Sequence, residues 1–365
     1  MLTKNNIRLG IVALTMLSLA GCGTTAPSAT QNVSTASEEA KPAPTLSDPT
    51  VGTGTEIPTP TPDTEGDQTP VTIGLTYIPN IQFSPFYVAQ EKNLYPNTKV
   101  TLRHHGANET LFGALAANTE QVVIAGADEA LVASEHGKDF VAIGPFYVKY
   151  PVVLITDANS KITSINDLKG KKVGIPGKYG ENWYALTIAL QAAGLNETDV
   201  EIKEIGYTQR AALVGKQVDA VVGFSNNDFV QLQASQLAVK QVPLFNGQVP
   251  LVGASIITTR NFLKTHPKAL ANVISGINQG IAEVKSDPAK AIEISQKYVP
   301  TLGDEIARQN AAKTLNATLP LFANDPTKSQ FDPALFEKMG AALKQVGLLQ
   351  PVVNPVEHMT NEFLK

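Results

Sequence analysis

Two rings and two side-chain amides occur together in Tyr77-Ile-Pro-Asn80-Ile-Gln82-Phe83, just after the alternating stretch Val71 to Leu75. Rings stack on flat heterocycles, and an amide sets a donor beside an acceptor, so this group suits a planar polar ligand. The competing reading packs Phe83 and Phe86 against the following helix. A second group is Gly177-Lys-Tyr179-Gly180-Glu-Asn-Trp183. Tyr179 and Trp183, the sole tryptophan, are either cleft rings or packing residues. Gly177 and Gly180 permit close backbone approach, and free N–H groups at a helix start attract anionic or carbonyl oxygens. The segment lacks the GxxxxGK spacing of a nucleotide-binding loop. Asp128, in Gly126-Ala-Asp-Glu129, either receives a ligand N–H or caps a helix. Asn226, Asn227 and Asp228 carry the same two readings. Tyr147, which follows an apolar strand at Phe140 to Ile143, is a further candidate ring.

Catalytic patterns are thin. There is no GxSxG and no HExxH, and the five histidines are not spaced as a ligand set. No catalytic residue, metal or cofactor is expected, and the chain does not read as an enzyme. The net charge of -4, with scattered basic residues, argues against nucleic acid as a partner. Cys22 is the only cysteine, so no intrachain disulfide can form. Lys4 and Arg8 precede an apolar run from Leu9 to Leu19, and Leu19-Ala20-Gly21-Cys22 closes it. That order is a secretion signal. The run is well short of the roughly 20 residues of a permanent transmembrane helix.

Leu-Ala-Gly-Cys resembles the lipobox of bacterial lipoproteins, in which the cysteine is acylated and becomes the new N-terminus. Residues 1–22 are then a signal peptide, and Cys22 is the point of lipid attachment to the outer, extracytoplasmic face of the cell membrane. The alternative is an ordinary signal peptide with an incidental cysteine. Residues 23–70 are rich in Thr, Ser and Pro and poor in large apolar side chains, so they read as a disordered tether.

From Val71 onward short apolar strands alternate with helices, the pattern of an α/β fold with largely parallel pairing. Helices are expected at Phe86 to Asn93, Glu109 to Ala117, Ala127 to Glu135 and Asn182 to Ala193. After Ser255 to Thr258 the chain turns mostly helical. Leu270, Val273, Ile274, Ile277, Ile281 and Val284 recur at helical spacing behind Pro267.

Thr76-Tyr-Ile-Pro-Asn-Ile-Gln-Phe-Ser-Pro-Phe-Tyr-Val-Ala89 resembles the first strand-loop-helix of solute-binding proteins of the thiamine-pyrimidine, alkanesulfonate and riboflavin type. Asp167-Leu-Lys-Gly-Lys-Lys-Val-Gly174, Ala193-Gly-Leu-Asn-Glu-Thr-Asp-Val200 and Ala212-Leu-Val-Gly-Lys-Gln-Val-Asp-Ala220 agree in order. The chain departs from the pattern at Phe83, where many members carry His, and at Asn226-Asn227-Asp228, where many carry Asn-Glu-Pro. The resemblance implies a type II periplasmic-binding-protein fold: two lobes, a ligand cleft and two hinge crossovers, near Ile155 to Lys161 and Val249 to Ser255. One lobe is residues 71–157 with 253–365, the other 158–252. The implied function is capture of a small aromatic heterocycle for an ABC importer, riboflavin or a thiamine-pyrimidine precursor. An alkanesulfonate or other oxyanion is the alternative ligand, and a pyrimidine-synthase-like enzyme the distant alternative. ABC permease subunits are the implied partners of a monomer.

Overall fold

The computed structural model describes residues 69–106, 109–135, 137–323 and 329–364. The expected signal peptide, Cys22 and the tether up to residue 68 lie outside the described residues. Thr69 and Pro70, expected in the tether, open the first strand instead.

Strands β1 (Thr69–Leu75), β2 (Thr98–His104), β3 (Val122–Gly126) and β4 (Phe140–Pro145) lie in one five-stranded sheet. Strands β5 (Val152–Asp157), β6 (Lys172–Ile175), β7 (Glu201–Glu204), β8 (Ala220–Phe224) and β9 (Val239–Val242) form a second, and β10 (Ala254–Thr259) returns to the first. The spatial orders are β2-β1-β3-β10-β4 and β7-β6-β8-β5-β9. β1 runs parallel to β2 and β3, and β6 parallel to β7 and β8. β10 lies antiparallel between β3 and β4, and β5 antiparallel between β8 and β9. Each sheet thus takes in the strand that has just crossed from the other. This is the two-lobed α/β architecture expected from the sequence.

The first crossover is 146–151 rather than Ile155 to Lys161, because β5 pairs with the second sheet from Val152, opposite Phe224, onward. A short apolar strand carries no local mark of which sheet it joins; that choice is made by pairing partners distant in sequence. The return crossover, 243–253, overlaps the expected one.

Helices α1 (Ser84–Glu91), α2 (Gly113–Ala116) and α3 (Ala127–Ser134) follow the first strands, and α4 (Gly180–Ala192), α5 (Gln209–Val214) and α6 (Asp228–Ala234) follow those of the second sheet. The helix expected over Glu109 to Ala117 is a single turn, in which only Leu115 is buried. So short a segment gains too little from packing to offset nucleation. The C-terminal block is α7 (Arg260–Thr265), α8 (Pro267–Ser286), α9 (Pro288–Ser295), α10 (Glu305–Thr318) and α11 (Pro333–Gln345).

The apolar positions of α8 form one buried face, which packs on α1. Gly280 sets the approach: a Cβ there would stand 2.2 Å from the Pro85 carbonyl oxygen. The block does not serve one lobe alone. α10 packs against α6, and α11 against α3 and α4. Phe336, Met339 and Leu343 of α11 share a core with Leu154, Trp183 and Leu186. No helix among the described residues is long and apolar enough to cross a membrane.

Candidate ligand-binding cavity

A cavity of about 700 Å³ is lined by residues at or just beyond the C-terminal ends of β1, β2, β3, β4, β6, β7 and β8. That is where open α/β sheets bind ligands, because loops there diverge and leave a crevice. Tyr77, Gln82, Phe83 and Tyr147 line it from the first lobe, and Tyr179, Gly180 and Asn227 from the second. The sequence reading named all seven.

The rings are held by other rings. Tyr77 meets Tyr207 edge-on at 5.7 Å, one ring from each lobe. Tyr147 stacks on Phe146 at 4.9 Å, and Phe83 sets its edge against His104 at 5.5 Å. Phe83 is therefore both a packing residue and a lining residue. Tyr179 remains 56% exposed at the rim. Its ring covers Gly177, where a Cβ would lie 2.3 Å from Tyr179 Cε1, so that glycine makes room for the ring. Gly180 has φ +73°, a left-handed turn that glycine adopts freely, and it opens α4.

Four expected residues lie elsewhere. Asn80 caps the turn Ile81–Phe83 by accepting the Gln82 N–H at 3.1 Å, and its Nδ2 donates across the cleft to Asn227 Oδ1 at 3.5 Å. Asp128 is fully buried; its carboxyl accepts the Glu129 N–H and the Tyr150 hydroxyl, both at 2.8 Å. Trp183 is buried in the core, with Lys178 Nζ 5.5 Å from its ring centre. Asn226 is buried and donates to Thr318 Oγ1 at 3.0 Å. Neighbours of these residues take the cavity positions instead: Glu129 beside Asp128, and Tyr184 beside Trp183. One residue along a helix turns a side chain by about 100°, enough to move it from the cavity to the core.

Glu129 and Glu181, not among the expected site residues, line the cavity from opposite lobes, and Asp228, expected either to meet a ligand or to cap a helix, lines it from the second. Glu129 Oε2 accepts the Gly126 N–H at 2.8 Å, and its Oε1 accepts the Glu181 N–H at 3.3 Å across the cleft. Burial pushes its pKa up to about 7, against the pull of those two N–H groups. Burial, then the neighbouring carboxyls, hold Asp128 and Glu181 well above the ordinary range. Asp228 accepts the Phe224 N–H at 2.7 Å, and burial lifts it to about 6. Burial and the Asp228 charge also raise the Tyr77 phenol. The only local signal was the acidic residue in each quoted motif.

Among the described residues, His105, Glu109 and Glu120 form the group with metal-ligand atoms within 4.8 Å of one another. Arg103 binds both carboxylates, so the positive charge an ion would bring is already supplied by the protein.

The sequence profile of the NMT1/THI5-like family matches residues 80–291. The chain is 31% identical over 330 residues to the riboflavin-binding protein RibY of Chloroflexus aurantiacus, covering 87% of this chain and 92% of that one. It is 22% identical over 301 residues to a 4-amino-5-hydroxymethyl-2-methylpyrimidine phosphate synthase of Legionella pneumophila, covering 80% of this chain and 92% of the other. Its fold is similar to that of the periplasmic aliphatic sulphonate binding protein SsuA from Escherichia coli. The TM-score is 0.63 at 19% identity, covering 80% of this chain and 97% of that one.

Proposed function

The chain belongs to the NMT1/THI5-like family, and from that membership we propose that it is a solute-binding protein of an ABC importer. It works outside the cytoplasm and traps riboflavin, or a related flat heterocycle, between its lobes. The observation that carries this reading is a cavity with tyrosine and phenylalanine on both lobes, side-chain amides beside them, and no Lys or Arg in its lining among the described residues. Rings sandwich a heterocycle, amides read its polar edge, and a sulfonate would lack the fork of donors it usually attracts. The two crossovers, 146–151 and 243–253, act as the hinge, with lobe closure stabilised by contacts the ligand makes to both sides.

The same reading makes Cys22 the lipid anchor and residues 23–68 the tether, with ABC permease subunits as partners of a monomeric binding protein. Cys22→Ser is expected to release the mature protein from the membrane fraction.

Native mass spectrometry of freshly purified protein, followed by calorimetric titration with riboflavin, tests the ligand. A co-purified or titratable flavin supports the reading. A protein that ignores riboflavin and a thiamine-type aminopyrimidine sinks it. Turnover of either compound would instead favour an enzyme related to the Legionella synthase.

A further inference from the structure

We infer that the cavity selects the uncharged, unphosphorylated form of its heterocycle and excludes ligands that carry a phosphate or sulfonate. The inference rests on the heterocycle-trap reading and deepens it.

Three features of the wall point the same way. The first is the missing cation. Among the described residues no Lys or Arg lines the cavity, and Arg103, beside the lining residue Glu109, is already bonded to Glu109 and Glu120.

The second is the state of the helix starts, the usual substitute for a cation in anion binding. At α3 the Gly126 and Glu129 N–H groups go to the Glu129 and Asp128 carboxyls, while those of Ala127 and Asp128 go to the carbonyls of Gly253 and Val252. At α4 the Glu181 N–H goes to Glu129. At α3 and α4 the chain's own carboxyls thus take N–H groups that a ligand phosphate would otherwise use.

The third is what remains unsatisfied. His105 Nδ1, Glu181 Oε1 and Asn182 Oδ1 are buried atoms of lining residues with no hydrogen-bond partner among the described residues. Of these, the Asn182 amide oxygen only accepts. An acceptor of that kind is met by ligand N–H and O–H groups, as an imide edge or a polyhydroxyl chain supplies. A phosphate or sulfonate brings further acceptors and a charge that nothing compensates.

The test titrates purified protein, at pH 7.5, with riboflavin, riboflavin 5′-phosphate and MOPS, read by flavin fluorescence and calorimetry. Riboflavin is expected to bind and its 5′-phosphate to bind at least about 100-fold more weakly, because an unpaired buried charge costs more than that ratio requires. MOPS is expected not to bind. Equal affinity for riboflavin and its phosphate overturns this inference and leaves the trap reading intact. Binding of MOPS without riboflavin overturns both, as does binding of none of the three by a protein that also ignores a thiamine-type aminopyrimidine. As a second arm, Glu129→Gln is expected to narrow the riboflavin-to-phosphate ratio by at least about threefold at pH 7.5, where a group held at about 7 is largely charged and the substitution removes that charge from the wall. If the folded variant keeps the wild-type ratio, the exclusion does not come from this carboxyl and the argument fails.

Discussion

Glu129 makes the stability of this protein depend on pH in a direction opposite to that of a salt-bridged carboxylate. Its pKa is about 7 in the folded chain, raised chiefly by burial, against an ordinary value of 4.5. Between those values the folded state holds a proton that the unfolded state has released. Stability is therefore fully present below about pH 4.5 and is lost as pH rises through about 7. At about 1.4 kcal/mol per unit, the loss comes to about 3.5 kcal/mol, of which some 2–3 fall between pH 5 and 8. Asp228 titrates the same way but earlier, since burial places it at about 6.

Glu129→Gln removes the titration and one of the two acceptors that serve Gly126 and Glu181. Losing that hydrogen bond costs about 1 kcal/mol at every pH. The variant should thus be slightly less stable than wild type at pH 5 and more stable at pH 8, with the two curves crossing between pH 5 and 6. Urea unfolding followed by circular dichroism, at half-unit steps from pH 5 to 8, measures this directly. The difference should also read as a relative shift of roughly 5–8 °C in Tm across that range. Parallel curves for the two proteins would refute the reasoning, because they would mean that Glu129 keeps its charge in the folded state.

Three other substitutions separate the cavity from the frame. Tyr77→Ala should weaken riboflavin binding at least tenfold, about 1.4 kcal/mol by calorimetry, since it removes one of two rings that face each other across the cleft. Trp183→Ala should lower stability by about 3–5 kcal/mol in denaturant unfolding, as a truncated core residue does. Gly280→Ala should cost about 1–3 kcal/mol by the same assay, because its Cβ meets backbone oxygen rather than a side chain that can turn aside.

The legible part of the site was the part carried by loops. Tyr77, Gln82 and Phe83 sit on one short connection after β1, and Tyr179 and Gly180 on another after β6, so proximity in sequence stood in for proximity in space. On helices that substitution failed. Asp128 and Trp183 were one position out of phase with Glu129 and Tyr184, which face the cavity. Tyr207 was invisible because its role depends on meeting Tyr77 from the other lobe. The unpartnered atoms of His105, Glu181 and Asn182 could not be foreseen either, since burial and bonding are properties of a packed neighbourhood.

By itself the sequence determined the alternation of strands and helices, the buried stripe of α8 and the aromatic loops. Each of these is written in spacing over a few residues, where backbone geometry leaves little choice. Only the tertiary structure decided that β5 crosses into the second sheet and that α11 reaches both lobes. It alone also brought buried carboxyls from the two lobes together, with no cationic side chain among the described residues that line the cavity. Those outcomes depend on which surfaces meet after long stretches of intervening chain, and on how much water their meeting excludes.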